Sequence, residues 1–163
     1  MDISIIVVVG RNNEIGRNNE LLCKLPADLK HFKELTTGHI VVMGRKTFNS
    51  LPKGALPNRT NIVLTRDKNL TFENCIVFSS IEELIESQKY NSEIFIIGGG
   101  EVYKQTLVLA NKLYLTKIDA EFADADTFFP EINYSEWTQL SCENHLADEK
   151  NPYNYSFLEY VRK

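Results

Sequence analysis

Glu93-Ile94-Phe95-Ile96-Ile97-Gly98-Gly99-Gly100-Glu101-Val102-Tyr103 is the stretch from which the fold can be read. A short apolar run bounded by glycine fits a strand covered on both faces, as strands of parallel sheets are. The glycines then allow a tight turn, and a helix begins near Glu101. A strand passing through glycine into a helix is the repeating unit of an α/β sheet.

The same pattern recurs on either side of it. Ile40-Val41-Val42-Met43 is a buried strand that runs into Gly44-Arg45-Lys46-Thr47-Phe48, a glycine followed by a helix start with two cations. Asn61-Ile62-Val63-Leu64 is another strand and ends at Thr65-Arg66-Asp67. Ile3 to Val9 and Lys112 to Ile118 are two more, the first closed by Gly10. A short strand at Ile76-Val77-Phe78 precedes Ser80-Ile81-Glu82-Glu83, a capping box that opens a helix to about Gln88. Trp137 to Glu143 and Tyr155 to Val161 alternate partially around a polar loop containing Asn151-Pro152, which predicts an antiparallel hairpin at one edge. Arg11 to Lys24 is polar and reads as a long loop of the kind that serves as a lid or binding segment. The expected fold class is α/β: a single domain over residues 1–163, with a mostly parallel sheet of about eight strands, an antiparallel C-terminal hairpin and about four helices.

The bulk numbers agree with one domain that has a real core: 163 residues, 43% hydrophobic and 25% charged. A net charge of -4 argues against a general nucleic-acid binder or a basic membrane-surface protein. Cys23, Cys75 and Cys142 are odd in number and widely spaced, so reduced thiols in the cytoplasm are expected, with neither a disulfide framework nor a metal site. The apolar run from Ile3 to Val9 is too short for a membrane span and lacks the basic lead-in of a signal peptide.

Between the loop and the second strand lies Lys24-Leu25-Pro26-Ala27-Asp28-Leu29-Lys30-His31-Phe32-Lys33-Glu34-Leu35-Thr36. Pro26 suits the first helical position, and Leu25, Leu29, Phe32 and Leu35 then share one face. Asp28 lies inside that apolar stripe. It is either a first-turn acid that favours the helix dipole or a desolvated carboxylate that finds a strong donor or has its pKa raised. Gly38 marks the end of the helix.

Chemistry is expected where the strands end. Gly44-Arg45-Lys46-Thr47, Thr65-Arg66 and Gly98-Gly99-Gly100 each follow a strand, at the carboxyl edge where open α/β sheets bind ligands. Glycines admit a phosphate close to the backbone, and Arg45 and Arg66 offer forked donors to one. Together they suggest a nucleotide with two separate phosphate positions, although the glycines also suit a plain turn and the cations a solvated helix start. Neither the Walker pattern nor GxGxxG is present. Arg59 is either a surface arginine or an anion ligand, and Thr116 either an ordinary strand residue or a hydroxyl with a buried partner. His31, His39 and His145 read as surface or structural. Asp119, Glu121, Asp124 and Asp126 lack the spacing of a calcium loop and read as a solvated segment.

Taken together, Ile15-Gly16, Leu25-Pro26-Ala27-Asp28-Leu29 with Phe32, Met43-Gly44-Arg45-Lys46-Thr47, Leu56-Pro57-Asn58-Arg59, Ile97-Gly98-Gly99-Gly100-Glu101-Val102-Tyr103 and Leu115-Thr116-Lys117-Ile118-Asp119 resemble bacterial dihydrofolate reductase over nearly the whole chain. The resemblance implies NADPH-dependent reduction of dihydrofolate to tetrahydrofolate, in support of one-carbon metabolism, by a cytoplasmic monomer that antifolates would inhibit. It implies that Asp28 accepts hydrogen bonds from the pterin's ring N–H and exocyclic amine, with Thr116 supporting the same edge. Ile6, Leu29, Phe32 and Leu56 would line the apolar pocket, and Arg59 would bind the glutamate tail. Arg45, Thr65 and Arg66 would surround the 2′-phosphate of NADPH. Lys46, Thr47 and the turn Gly98, Gly99, Gly100 with Glu101, Val102 and Tyr103 would hold the pyrophosphate and nicotinamide half. Val8, Ile15, Gly16 and Ile97 would lie on the cofactor side as well. In the family the proton reaches the pterin N5 through water, with Asp28 acting indirectly.

The same resemblance makes Gly10 to Lys24 a mobile lid over the nicotinamide, tethered in its closed form by Asp126. The chain departs from the family pattern at Cys23, where tryptophan is usual, and at Leu21-Leu22. The smaller Cys23 would lose an indole contact to an ordered water near Asp28. Two other readings are a related pyrimidine reductase of flavin biosynthesis and a catalytically weak NADPH-binding module.

Overall fold

The computed structural model describes residues 2–18, 21–87 and 92–163. Among them run β1 (Ile3–Val9), β2 (Glu14–Gly16), α1 (Pro26–Thr36), β3 (Ile40–Gly44), α2 (Arg45–Ser50), β4 (Thr60–Leu64), β5 (Cys75–Phe78), α3 (Ile81–Glu86), β6 (Ile94–Gly98), α4 (Gly100–Thr106), β7 (Lys112–Ile118), β8 (Thr127–Phe128), β9 (Trp137–His145) and β10 (Tyr155–Arg162). An eight-stranded sheet has the order β5-β4-β3-β6-β1-β7-β10-β9. From β5 to β7 every pairing is parallel, while β10 runs antiparallel to both β7 and β9. The expected α/β class, the antiparallel hairpin and the number of sheet strands are all as the sequence patterning implies.

Continuous apolar runs become central strands because both of their faces are covered. Ile5, Val41, Val42, Met43, Ile62, Val63, Ile94 and Ile96 are fully buried, and they belong to β1, β3, β4 and β6 at the middle of the sheet. The capping box forms at its first half: Ser80 Oγ accepts the Glu83 N–H at 3.1 Å, while the Glu83 carboxylate turns to the Ser79 N–H at 2.8 Å. Gln88, the expected end of that helix, lies outside the described residues. α1 ends where Gly38 takes φ +83°, a left-handed conformation that suits glycine. No helix of the described residues is long and apolar enough to cross a membrane.

One expectation changes and two are sharpened. The segment Arg11 to Lys24 is not loop throughout, because Glu14–Gly16 pairs antiparallel with Thr127–Phe128 in a second, two-stranded sheet. Three residues are too few for alternation to show, and their partner lies more than a hundred residues away. The apolar stripe of α1 is graded: Leu25 is buried, Phe32 and Leu35 are half-buried and Leu29 is 53% exposed. Phe32 and Leu35 pack on the sheet through Ile6, Val41, Met43, Val63 and Phe95, while Leu25 and Leu29 line an opening. The acidic segment after β7 is solvated as expected, with all four acids exposed, and two of them form surface ion pairs: Asp119 with Arg11 at 2.8 Å and Asp124 with Arg17.

Candidate active site

The parallel register brings the carboxyl ends of the strands to one edge. Val8 of β1 lies beside Thr116 of β7, Met43 of β3 beside Gly98 of β6, and Gly44 beside Leu64 of β4. So the three turns Gly44-Arg45, Thr65-Arg66 and Gly98-Gly99 emerge side by side, and α1 enters the same edge from the lid segment.

Asp28 sits in the first turn of α1 and is largely shielded from water. Thr116, 3% exposed and in the middle of β7, donates its hydroxyl to Asp28 Oδ1 at 2.6 Å. Burial pushes the Asp28 carboxyl up from its ordinary value, opposed by the Thr116 hydrogen bond and by nearby His31. A carboxylate with one protein donor and a desolvated position can still accept several hydrogen bonds from a ligand. The cavity beside it is lined by Val8, Ile15, Cys23, Leu25, Leu29 and Ile118 besides Asp28, together with Glu14 and residues 21, 22 and 24. Such a cavity, apolar with a few polar groups, suits a flat heterocycle.

Cys23 is half-buried on this wall, and burial and the Asp28 charge both push its thiol up. It is therefore a neutral, compact side chain on the wall beside Asp28.

On the same face of β1 as Val8, Ile6 is 8% exposed and shares a cluster with partly buried Phe32, Leu35, Leu56, Ile97 and Tyr114. Arg59 lies next to that cluster: its Nε donates to the Pro57 carbonyl at 2.8 Å, its Nη1 to Thr36 Oγ1 at 3.1 Å, and its guanidinium stands 5.9 Å from the Phe32 ring centre. Among the described residues no ion pair holds Arg59. It is therefore positioned by neutral acceptors and keeps free donors for an anion. Phe32 and Leu56 thus belong with Arg59, one step along the helix from Asp28.

The turn after β6 leaves no room for side chains. A methyl group on Gly99 would sit 3.1 Å from Thr47 Oγ1, and one on Gly44 would sit 3.2 Å from the Val102 side chain. Gly100 is tighter still, since a Cβ there would come within 2.7 Å of Thr127 in β8. Arg45, Lys46 and Arg66 are exposed above these turns, with Thr65 between. Val102 and Tyr103 are buried, and the Tyr103 hydroxyl donates to the Ile6 carbonyl at 2.8 Å. They support the turn from beneath. Glu101 is exposed and accepts from Gln105 Nε2 at 3.2 Å, so its charge lies along α4 and away from the turn. A glycine cradle beneath a Thr hydroxyl, rimmed by three cations, fits a phosphate-bearing dinucleotide.

The segment expected to form a lid is tied to the region around β8. Asp126 accepts the Asn18 N–H at 2.8 Å and donates its own N–H to the Gly16 carbonyl at 3.0 Å. Asn19 and Glu20, part of the expected lid, lie outside the described residues. Two residues that sequence reasoning passed over also belong here. Glu14, 2% exposed, accepts the N–H groups of Asn12 and Phe122 at 2.5 and 2.6 Å. Asn151 reaches the start of α1 from the β9–β10 loop. An acid within a polar run and an asparagine beside a proline carry no local signal of either contact.

The dihydrofolate reductase family model matches residues 2–162. A dihydrofolate reductase of Haemophilus influenzae is 47% identical over 163 residues, covering 100% of both chains. That of Bacillus subtilis is 44% identical, covering 99% of this chain and 95% of its relative. A solved structure of dihydrofolate reductase from Enterococcus faecalis, complexed with NADP(H) and RAB-propyl, superposes with a TM-score of 0.92 at 37% identity, covering 99% of this chain and 96% of that one.

Proposed function

The chain belongs to the dihydrofolate reductase family, and from that premise we propose how its residues share the work. It is an NADPH-dependent oxidoreductase that reduces 7,8-dihydrofolate to tetrahydrofolate. NADPH supplies the hydride when bound.

Asp28 binds and orients the pterin. The observation that carries this assignment is a buried carboxylate, donated to by Thr116 alone among the described residues, facing an apolar cavity. Two donors on one edge of a flat ring satisfy such a carboxylate in parallel bonds, which fixes the ring in its plane. Thr116 keeps one oxygen turned so that the other faces the ring. Ile6, Leu29, Phe32 and Leu56 exclude water from the ring and the segment beyond it, and Arg59 holds the carboxylate tail. The proton for the pterin arrives by water, and Asp28 shapes that approach without donating directly. Cys23 leaves more space on this wall than an indole would, and antifolates that fill the space should gain from it.

On the cofactor side Lys46, Thr47, Gly98, Gly99 and Gly100 hold the pyrophosphate, with Ile97, Glu101, Val102 and Tyr103 shaping the turn. Arg45, Thr65 and Arg66 select the 2′-phosphate, and Val8, Ile15 and Gly16 border the nicotinamide. A cytoplasmic monomer fits the free cysteines, and the family match over residues 2–162 supports reading 1–163 as one domain.

Loss of NADPH absorbance on adding dihydrofolate tests the activity directly. Cofactor binding without turnover, or no rate above background, would overturn it. Arg66→Ala should weaken NADPH more than NADH, and equal losses would remove Arg66 from the 2′-phosphate site.

A further inference from the structure

The first turn of α1 has no cap of its own. The residue before it is Leu25, which offers no side-chain acceptor. Pro26 lacks an N–H, and the N–H groups of Asp28 and Leu29 both reach the Leu25 carbonyl, at 2.9 and 3.0 Å. The donor left over is the Ala27 N–H, and a shielded helix end needs a partner for it.

That partner comes from 124 residues away, where Asn151 Oδ1 accepts the Ala27 N–H at 3.1 Å. Asn151 is 5% exposed. Its Nδ2 donates to Asp148 Oδ1 and Oδ2 at 3.0 and 3.3 Å, and its backbone N–H donates to Asp148 Oδ1 at 2.8 Å. The Lys150 N–H reaches the same oxygen at 2.9 Å, and the Asp148 N–H returns to the Asn151 carbonyl at 2.9 Å. Residues 148–151 thus close on themselves and aim one amide oxygen at α1. The helix meets the same hairpin at a second point, where His31 stacks on Phe157 of β10 with ring centres 4.1 Å apart. Phe157 is also the register partner of Thr116.

We propose that Asn151, held by Asp148, is a positioning residue for Asp28: it fixes the first turn of α1 so that the carboxylate meets Thr116 and the donor edge of the substrate at once. Asn151 is not among the residues lining the cavity, so it acts through the helix. The proposal rests on the reading of Asp28 as the pterin-binding carboxylate. The C-terminal hairpin then supports both neighbours of that carboxylate, Thr116 through strand pairing and α1 through Asn151.

The test compares Asn151→Ala, the double exchange Asn151→Asp with Asp148→Asn, and Asp148→Ala with the wild-type chain. It measures kcat and KM for dihydrofolate, NADPH affinity by fluorescence, and the thermal midpoint. Asn151→Ala should lower kcat/KM about tenfold while NADPH affinity stays within about twofold. Asn151→Asp combined with Asp148→Asn keeps an oxygen for the Ala27 N–H and one amide donor between the two side chains, and should recover most of the loss. Asp148→Ala changes an exposed residue that does not touch α1, and should cost about threefold. An Asn151→Ala enzyme within about twofold of wild type, assayed well below its midpoint, would show a purely structural cap and overturn the proposal. A doubly exchanged enzyme, Asn151→Asp with Asp148→Asn, that is no better than the alanine variant would overturn it too. If Asn151→Ala does not fold, Asp148→Ala decides, and an unchanged kcat/KM there overturns the proposal. A wild-type chain that fails to consume NADPH with dihydrofolate would instead remove the reading of Asp28 beneath it.

Discussion

Asp28 and Glu14 border one cavity, the first from α1 and the second from β2, and their surroundings treat the two carboxylates in opposite ways. Glu14 is enclosed. Burial alone would raise its pKa, but the N–H groups of Phe122, Glu14 itself and Asn12 outweigh that and hold it below its ordinary value. Gly10 makes the room, since a Cβ there would stand 2.8 Å from Glu14 Oε1. Asp28 has a single hydroxyl, and burial keeps its carboxyl above the ordinary value. A carboxylate whose oxygens are already filled is a strut; one left short of donors is a binding group. Both are acids in polar or mixed sequence, and only their donors separate them.

The largest break in that comparison comes from Asp28→Asn. The amide presents a donor where the pterin edge also presents donors, so kcat/KM at neutral pH should fall by about a hundredfold or more. NADPH affinity should hardly move, and unchanged turnover in stopped-flow absorbance would return Asp28 to the role of a helix-start acid. Next in size is Glu14→Leu, which leaves buried N–H groups unpaired and should cost about 1–3 kcal/mol in urea unfolding. Thr116→Val removes the hydroxyl donor from Asp28 while keeping the shape of the strand residue. It should lower kcat/KM by about tenfold and raise the apparent pKa seen in its pH profile.

The smallest effect is the most diagnostic. A carboxyl held low contributes stability that is full above the ordinary carboxylate range and is lost as pH falls through its folded value. A carboxyl held high carries a penalty that is absent below the ordinary range, grows as pH rises toward the folded value, and is full above it. Thermal midpoints of Glu14→Gln and Asp28→Asn, each relative to wild type and without ligand, should therefore diverge as pH rises from acid to neutral. The first should drop below wild type and the second should climb above it. Parallel curves would mean that the two acids are treated alike.

Much of this was legible beforehand, and the boundary is physical. Ile94 to Ile97 and Ile40 to Met43 announce buried strands because both faces need apolar cover, and the glycines behind them mark turns with no space for a Cβ. Asp28 could be singled out because an acid in an apolar stripe is locally anomalous. The exposure of Leu29 could not, since periodicity reports which residues share a face and says nothing of what that face meets. The contacts Glu14 to Phe122 and Asn151 to Ala27 span 108 and 124 residues, and strand register sets both. Polar loop residues carry no pattern from which such partners could be chosen.

The place of β10 in the sheet has a consequence for how the protein is made. β10 lies between β7 and β9, so β7 keeps an open edge until Tyr155–Arg162 is available. Synthesis delivers the strand that pairs with Thr116, and the loop that holds α1, after every other strand described has left the ribosome. A nascent chain that has reached β9 already carries Asp28, Arg59 and the glycine turns, yet β7 has one open edge and α1 is uncapped. Such a chain exposes a template for mispairing with its neighbours. Competence and resistance to aggregation therefore arrive together, with the same few residues.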